Sequence, residues 1–342
     1  MAKTELTVKH DQLAFGDGVH VTLQRTLRIP DDGRSYPLPP GLGSFPLRRV
    51  DDYATRVPED WRGRGGIFFP MYQREAMWIC FTTPHWKPRA VKVAVGKICA
   101  ITGKVWSEEL RDEPQDYLVT PPQPWLDGIA AGKGVIRQFV AMPLGLGYTV
   151  EGQVSGEERF GGIQLKVFEP RAGRFPDEPP AWRGEMYECC APCAPAAAAG
   201  PAPCRRSRAA GSMGLAAGGR MKQKIYPDPH GIDTWDPART SRVFVHIVNS
   251  ELWREITGEP PPPSPVTARE YAAHGLPWFD LYDEGAPTCE PTDTLASVKS
   301  IKDLDTAKST LLLQDDEPVS VGPIKKLWVK VAGRLGVRDG EW

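Results

Sequence analysis

Proline and glycine interrupt this chain so often that a long regular helix has almost nowhere to form. The 342 residues include 35 prolines and 34 glycines, about a fifth of the whole. Proline inside a helix removes a backbone donor and clashes with the preceding turn, and glycine loses the most conformational freedom on ordering. A helical bundle is therefore a poor solution, and short strands joined by turns and long loops are a good one. The rest of the composition is that of a globular protein, 41% hydrophobic and 25% charged. The expected fold is mainly β with a few short helices, a β-sandwich or strongly bent sheet carrying long ordered Pro/Gly-rich loops.

Periodicity places the elements. In "VHVTLQRTLRI", Val21, Leu23, Leu27 and Ile29 share a face. "RAVKVAVGKICAITGKVW" is the clearest strand pattern, with Val91, Val93 and Val95 on one side. There Gly96 is read as a bulge and Thr102–Lys104 as a hairpin turn. "QPWLDGIAAGKG" reads as a helical turn and a half, stopped by glycine. "GVIRQFVAMPLGLGYTVEGQVSG" and "GGIQLKVFEP" supply two or three strands, and "RVFVHIVNS" a buried one in which His246 reads as a satisfied core residue. "SELWREITG" is a short helix with Ser250 as N-cap. "VTAREYAAHG" carries a capping box, Thr267 with Glu270, and a hydrophobic staple of Val266 and Tyr271. Another helical turn is expected between Lys299 and Asp305, and a last strand at "KKLWVKVAG".

From Glu188 to Gly211 alanine, proline and glycine dominate, and little there could be buried to offset the ordering entropy. The expectation is one globular unit over 1–342, built from 1–187 and 212–342, with 188–211 as a disordered Ala/Pro-rich insertion. Cys189, Cys190, Cys193 and Cys204 offer a zinc-like spacing inside it, but without the apolar support of a structural zinc site they read as free thiols. The N-terminus has no secretory pattern and no apolar run could span a bilayer, which points to a cytoplasmic protein with reduced cysteines. Lys and Arg number 42 against 43 Asp and Glu, so no general attraction to nucleic acid is expected. The basic run of Arg205, Arg206, Arg208, Arg220, Lys222 and Lys224 lacks the interleaved aromatics that stack bases.

Two stretches bear on chemistry. "GSMGLAAGGRMKQK" has Gly214 and Gly219 near the spacing of a phosphate loop, but Arg220 and Met221 stand where Lys and Ser/Thr belong. Its glycines read instead as letting the chain turn against packed neighbours, and no cofactor is implied. "YPDPHGIDTWD" sets Asp228, His230 and Asp233 on a loop stiffened by Pro227, Pro229 and Pro237. Those three are candidate catalytic groups and candidate metal ligands, because carboxylates and imidazole both ligate divalent ions and move protons. The plainer reading is an exposed polar loop whose aspartates make Asx turns. Arg220 and Arg137 complete the catalytic candidates, as arginines that an active pocket would bring beside His230.

Several phrases taken together resemble a family of uncharacterised proteins from bacteria and fungi. They are "PMYQREAMW", "GVIRQFVAMPLGLGYTVEGQVSG", "GGIQLKVFEP", "MKQKIYPDPHGIDTWD" and "GLPWFDLYDE". The resemblance carries no activity and assigns no site residue. The expectation is a non-enzymatic binding or structural protein that meets a protein or carbohydrate ligand through its loops and exposed aromatics. The alternative is a hydrolase-type enzyme with its site at the Asp228–Asp236 loop, with or without metal dependence.

Overall fold

A computed structural model describes residues 5–179, 211–280, 286–310 and 316–326. The insertion expected at 188–211, with its four cysteines, lies outside the described residues except for Gly211. The strands are β1 (Leu6–Lys9), β2 (Gln12–Phe15), β3 (Val19–Thr26), β4 (Ser35–Tyr36), β5 (Gly41–Ser44), β6 (Arg48–Arg49), β7 (Ile67–Met71), β8 (Ala76–Thr82), β9 (Arg89–Val95) and β10 (Ile98–Cys99). They continue as β11 (Leu118–Thr120), β12 (Trp125–Leu126), β13 (Gly128–Gly132), β14 (Val135–Pro143), β15 (Ile163–Pro170), β16 (Ser212–Lys222), β17 (Trp235–Asn249), β18 (Trp278–Asp280) and β19 (Ile324–Lys326). The helices are short: α1 (Glu59–Arg64), α2 (Val150–Ser155), α3 (Ser250–Thr257), α4 (Ala268–Ala273), α5 (Asp293–Ala296) and α6 (Ile301–Ala307).

The sheet has two halves. In one, β1, β2, β3, β8, β14 and β16 follow one another as antiparallel neighbours. In the other, β10 and β11 pair end to end along one edge of β9, and β15, β17 and β7 continue from its other edge, with the β17–β7 pair parallel. A short pairing of Ser212 and Met213 with Val248 and Ile247 joins the halves. The valines of β9 and the apolar residues of β15 and β17 meet Leu23, Ile79, Phe139 and Leu215 of the first half in one buried cluster. The sheet thus bends over and packs on itself, as the alternating pattern implied.

Local signals survive where they are strong. Thr267 Oγ1 accepts from Glu270 N and the Glu270 carboxylate accepts from Thr267 N, which completes the capping box on α4. Thr267→Ala is expected to cost about 1 kcal/mol, read as a lower urea midpoint; an unchanged midpoint would remove the cap from the account of α4. The Thr102–Lys104 turn is present, with Cys99 N donating to Lys104 O. His246 is a core histidine: Nε2 contacts Gly65 O at 3.0 Å, Trp61 stacks on the ring at 4.5 Å, and burial pushes its pKa down to about 3.

Other expectations need correction. Gly96 lies in the turn between paired Val95 and Ile98, not in a bulge. α3 is capped by Asn249, whose side chain accepts from Glu251 N, so Ser250 is its first residue rather than its N-cap. The stretch around Trp125 is no helix but β12 and β13. Gly128 crosses the Arg137 carbonyl so closely that an added Cβ would stand 1.9 Å from the oxygen. "YTVEGQVSG" forms α2 rather than strand, because Thr149 Oγ1 accepts from Gly152 N and starts a helix. The largest departure is the glycine run 211–222, which is no turn: β16 is an eleven-residue strand deep in the sheet. An added Cβ would stand 2.6 Å from Val140 Cγ2 at Gly218 and 2.4 Å from Pro30 O at Gly219. The glycines serve close packing between extended segments.

Candidate functional site

The chain from β16 to β17 runs as a loop over one end of the sheet, and Asp228 is its anchor. The Asp228 carboxylate accepts from Tyr117 Oη at 2.7 Å and from Trp235 Nε1 at 2.8 Å through Oδ2, and from His230 N at 2.8 Å through Oδ1. Its own N donates to Gln115 Oε1. Tyr117 and Trp235 are nearly inaccessible and pack with Ala90, Val119 and Phe168. Burial, then the hydrogen bond to Asp228, pushes the Tyr117 phenol well above its usual pKa. The His230 N bond is an Asx turn, and Asp236 Oδ1 makes another with Ala238 N.

Beyond Asp228 the loop is presented to solvent. His230 is exposed, its ring edge-on to Phe175 at 5.0 Å and to Trp235 at 6.0 Å. Asp233 is also exposed, and its carbonyl accepts from Arg171 Nε. Arg171 N donates to Thr234 O, and Lys87 pairs with Asp177 at 2.6 Å, so the loops at 83–88, 171–179 and 226–236 brace one another. Among the described residues no three His, Cys, Asp or Glu side chains stand where they could hold a metal ion together.

The two candidate arginines stand apart from this loop end in their contacts. Arg137 on β14 and Arg220 on β16 are directly cross-strand. Arg137 lies 3.6 Å from Asp31 and 4.0 Å from Asp303, and donates to Gly218 O; Arg220 is exposed beside it. Burial opposes ionisation of Asp303, but the bonds from Ser300 and the charges of Arg137 and Arg220 hold its pKa below the usual range. Like charges directly opposite on a sheet repel, and the two aspartates offset that repulsion. The side chains of His230 and Asp228 meet Tyr117, Trp235 and Phe175, and neither arginine is among their partners.

No family model matches the chain, and no curated protein or solved structure shows significant similarity to it. No described helix is long and apolar enough to cross a membrane. The chemistry must therefore be read from the residues themselves.

One group with chemical potential escaped the sequence reading altogether. Asp127 is 1% exposed, and its carboxylate stands beside the Trp125 indole with no cation among the described residues contributing to its environment. Burial pushes its pKa up to about 8, and the nearby Trp125 indole opposes that only in part. The only sequence signal was a charged residue inside "PWLDGI", which a helical reading places at a solvent-facing position. Phe175 and Tyr117 were also missed, because each matters through a partner more than fifty residues away.

Proposed function

We propose that this chain is a non-enzymatic binding protein that meets a protein or carbohydrate ligand at the loop end formed by residues 83–88, 171–179 and 226–236. The observation that carries the reading is the division of labour within the 226–236 loop. Asp228 spends its carboxylate on Tyr117, Trp235 and the His230 backbone, which leaves no free oxygen poised for proton transfer. Its effect is to hold the loop stiff while the exposed imidazole of His230 stands edge-on to the half-buried ring of Phe175. A rigid loop that presents an exposed ring packed on a half-buried one loses little entropy on binding, which favours recognition.

The test pairs arrays of glycans and peptides with a panel of nitrophenyl esters, phosphates and glycosides, each with and without added divalent metal. The wild type is expected to give an array signal that Phe175→Ala/His230→Ala abolishes while the melting temperature stays put. Asp228→Ala should instead lose about 2 kcal/mol of stability, because it orphans two buried donors. An array signal indifferent to the double variant would remove the loop end as the site. Turnover by the wild type that disappears in His230→Ala would replace this reading with a hydrolase.

A further inference from the structure

The outward face of the β1–β2–β3 meander is hollow, and two small residues make it so. Leu6 and Val8 of β1, Leu13 and Phe15 of β2, and Val19 and Val21 of β3 pack into or against the central buried cluster. Thr7, Lys9, Gln12, Ala14 and His20 therefore take the other face, because successive strand residues point to opposite sides. The pairing sets Ala14 between Thr7 and His20. Gly16 N donates to Glu5 O, so the glycine lies level with Glu5 at the end of the ladder. Ala14 and Gly16 leave the middle strand without bulk between larger neighbours, and a cavity of about 400 Å³ opens over β2. That is the size of a small-ligand site.

The charges around this hollow are sorted by end. Lys9 and His10 stand at the β1–β2 turn, Glu5 and Asp17 stand at the opposite end, and all four line the cavity. Among the described residues none of these four side chains has an ion-pair or hydrogen-bond partner. Lys9 and Glu5 are four residues apart on extended chain, about 13 Å.

Between the ends the polar groups are oriented. Gln12 Nε2 donates to Thr22 Oγ1 at 3.2 Å, so the amide oxygen is the atom that meets His20 Nδ1 at 3.0 Å. An amide oxygen only accepts, so Nδ1 carries the hydrogen and donates. His20 Nε2 and the Thr7 hydroxyl, both on residues that line the cavity, are left without a partner among the described residues.

A ligand carrying one sign of charge would be attracted at one end of this hollow and repelled at the other. A ligand with an anion at one end and a cation at the other satisfies both. An extended tripeptide has its ammonium and carboxylate about 10 Å apart and fits between Lys9 and Glu5.

We propose that the hollow over β2 binds a short peptide of about three residues by its two free termini, with the carboxylate at Lys9 and His10 and the ammonium at Glu5 and Asp17. His20 Nε2 and the Thr7 hydroxyl meet the peptide backbone between the ends. The site uses none of the loop-end residues, so it stands whether or not the loop end binds a ligand.

Titration of backbone amide NMR shifts with trialanine tests this and locates the site. The wild type is expected to show saturable shifts confined to β1, β2, β3 and their turns. Acetylating the peptide's amine and amidating its carboxylate should together weaken binding at least about fivefold. Lys9→Gln should weaken trialanine about threefold but leave binding of the C-terminal amide, which has no carboxylate, unchanged. Asp17→Asn should act in the same way on the amine end and leave N-acetyl-trialanine unaffected. Ala14→Leu fills the floor of the cavity and should abolish the shifts, and its own spectrum reports whether it folds; the two charge variants carry the test if it does not. No saturable shifts in the wild type, shifts elsewhere in the chain, equal binding of the doubly capped peptide, full binding by a folded Ala14→Leu, or a Lys9→Gln loss as large for the amide as for the free peptide would each overturn the proposal.

Discussion

Asp127→Asn is expected to stabilise the protein at neutral pH, by roughly 3–5 kcal/mol at 1.36 kcal/mol per pKa unit. A buried carboxylate whose pKa is pushed up to about 8 is neutral in the folded chain at pH 7, while in the unfolded chain it ionises near pH 4. Below that lower value both states hold the proton and the group has no effect on stability. As pH rises from about 4 toward 8, the unfolded state is favoured by ionisation that the folded state cannot share, so wild-type stability falls across this window. The asparagine cannot ionise, so the variant loses none of it. Urea titrations of both proteins at pH 4, 6 and 8 should show two midpoints that nearly coincide in acid and separate steadily toward pH 8. Parallel behaviour across the whole range would mean that Asp127 is ionised and solvated in the folded protein.

Lys92→Met is expected to do the opposite, with a loss of about 3–5 kcal/mol. Lys92 is 1% exposed in the middle of β9, on the face opposite its core valines. Its ammonium donates to Asp116 Oδ2 at 2.9 Å, to Ser107 O and Oγ at 3.0 Å, and to Glu109 O, beneath the Trp106 ring. These bonds pin the long connection between β10 and β11 to the sheet. Methionine keeps the stem but strands the Asp116 carboxylate, which would retain only the bond from Arg111 N. Asp116→Asn in the same background should recover part of the loss, since it removes the stranded charge. A double variant whose loss equals the sum of the two single losses would show that the pair does not interact energetically.

The loop at 226–236 shows how a chemically suggestive motif can be absorbed by architecture. Aspartate, histidine and aspartate at close spacing are what a metal or acid–base site needs, and the sequence offers them on a proline-stiffened loop. In three dimensions the first aspartate turns inward to a phenol and an indole, while His230 and Asp233 turn outward. Spacing along a loop does not specify direction, because the φ and ψ angles at proline and glycine redirect each side chain independently. The same limit applies to Arg137 and Arg220: 83 positions apart, they face each other only because β14 and β16 pair in one register.

What the sequence determined by itself were its strongest short-period signals. Proline and glycine excluded long helices, the Val91, Val93 and Val95 alternation marked a strand, and Thr267 with Glu270 marked a helix start, since each depends on neighbours within a few residues. The tertiary structure alone decided that the glycine run from Gly211 is a central strand, that Asp228 is a strut, and that Asp127 is buried. In each case the deciding partner comes from a distant segment: Val140 and Pro30 against the glycines, Tyr117 against Asp228, and Gln223, which accepts from the Asp127 N–H. Whether a glycine turns or packs, and whether a carboxylate is hydrated or buried, depends on what chain closure brings against it.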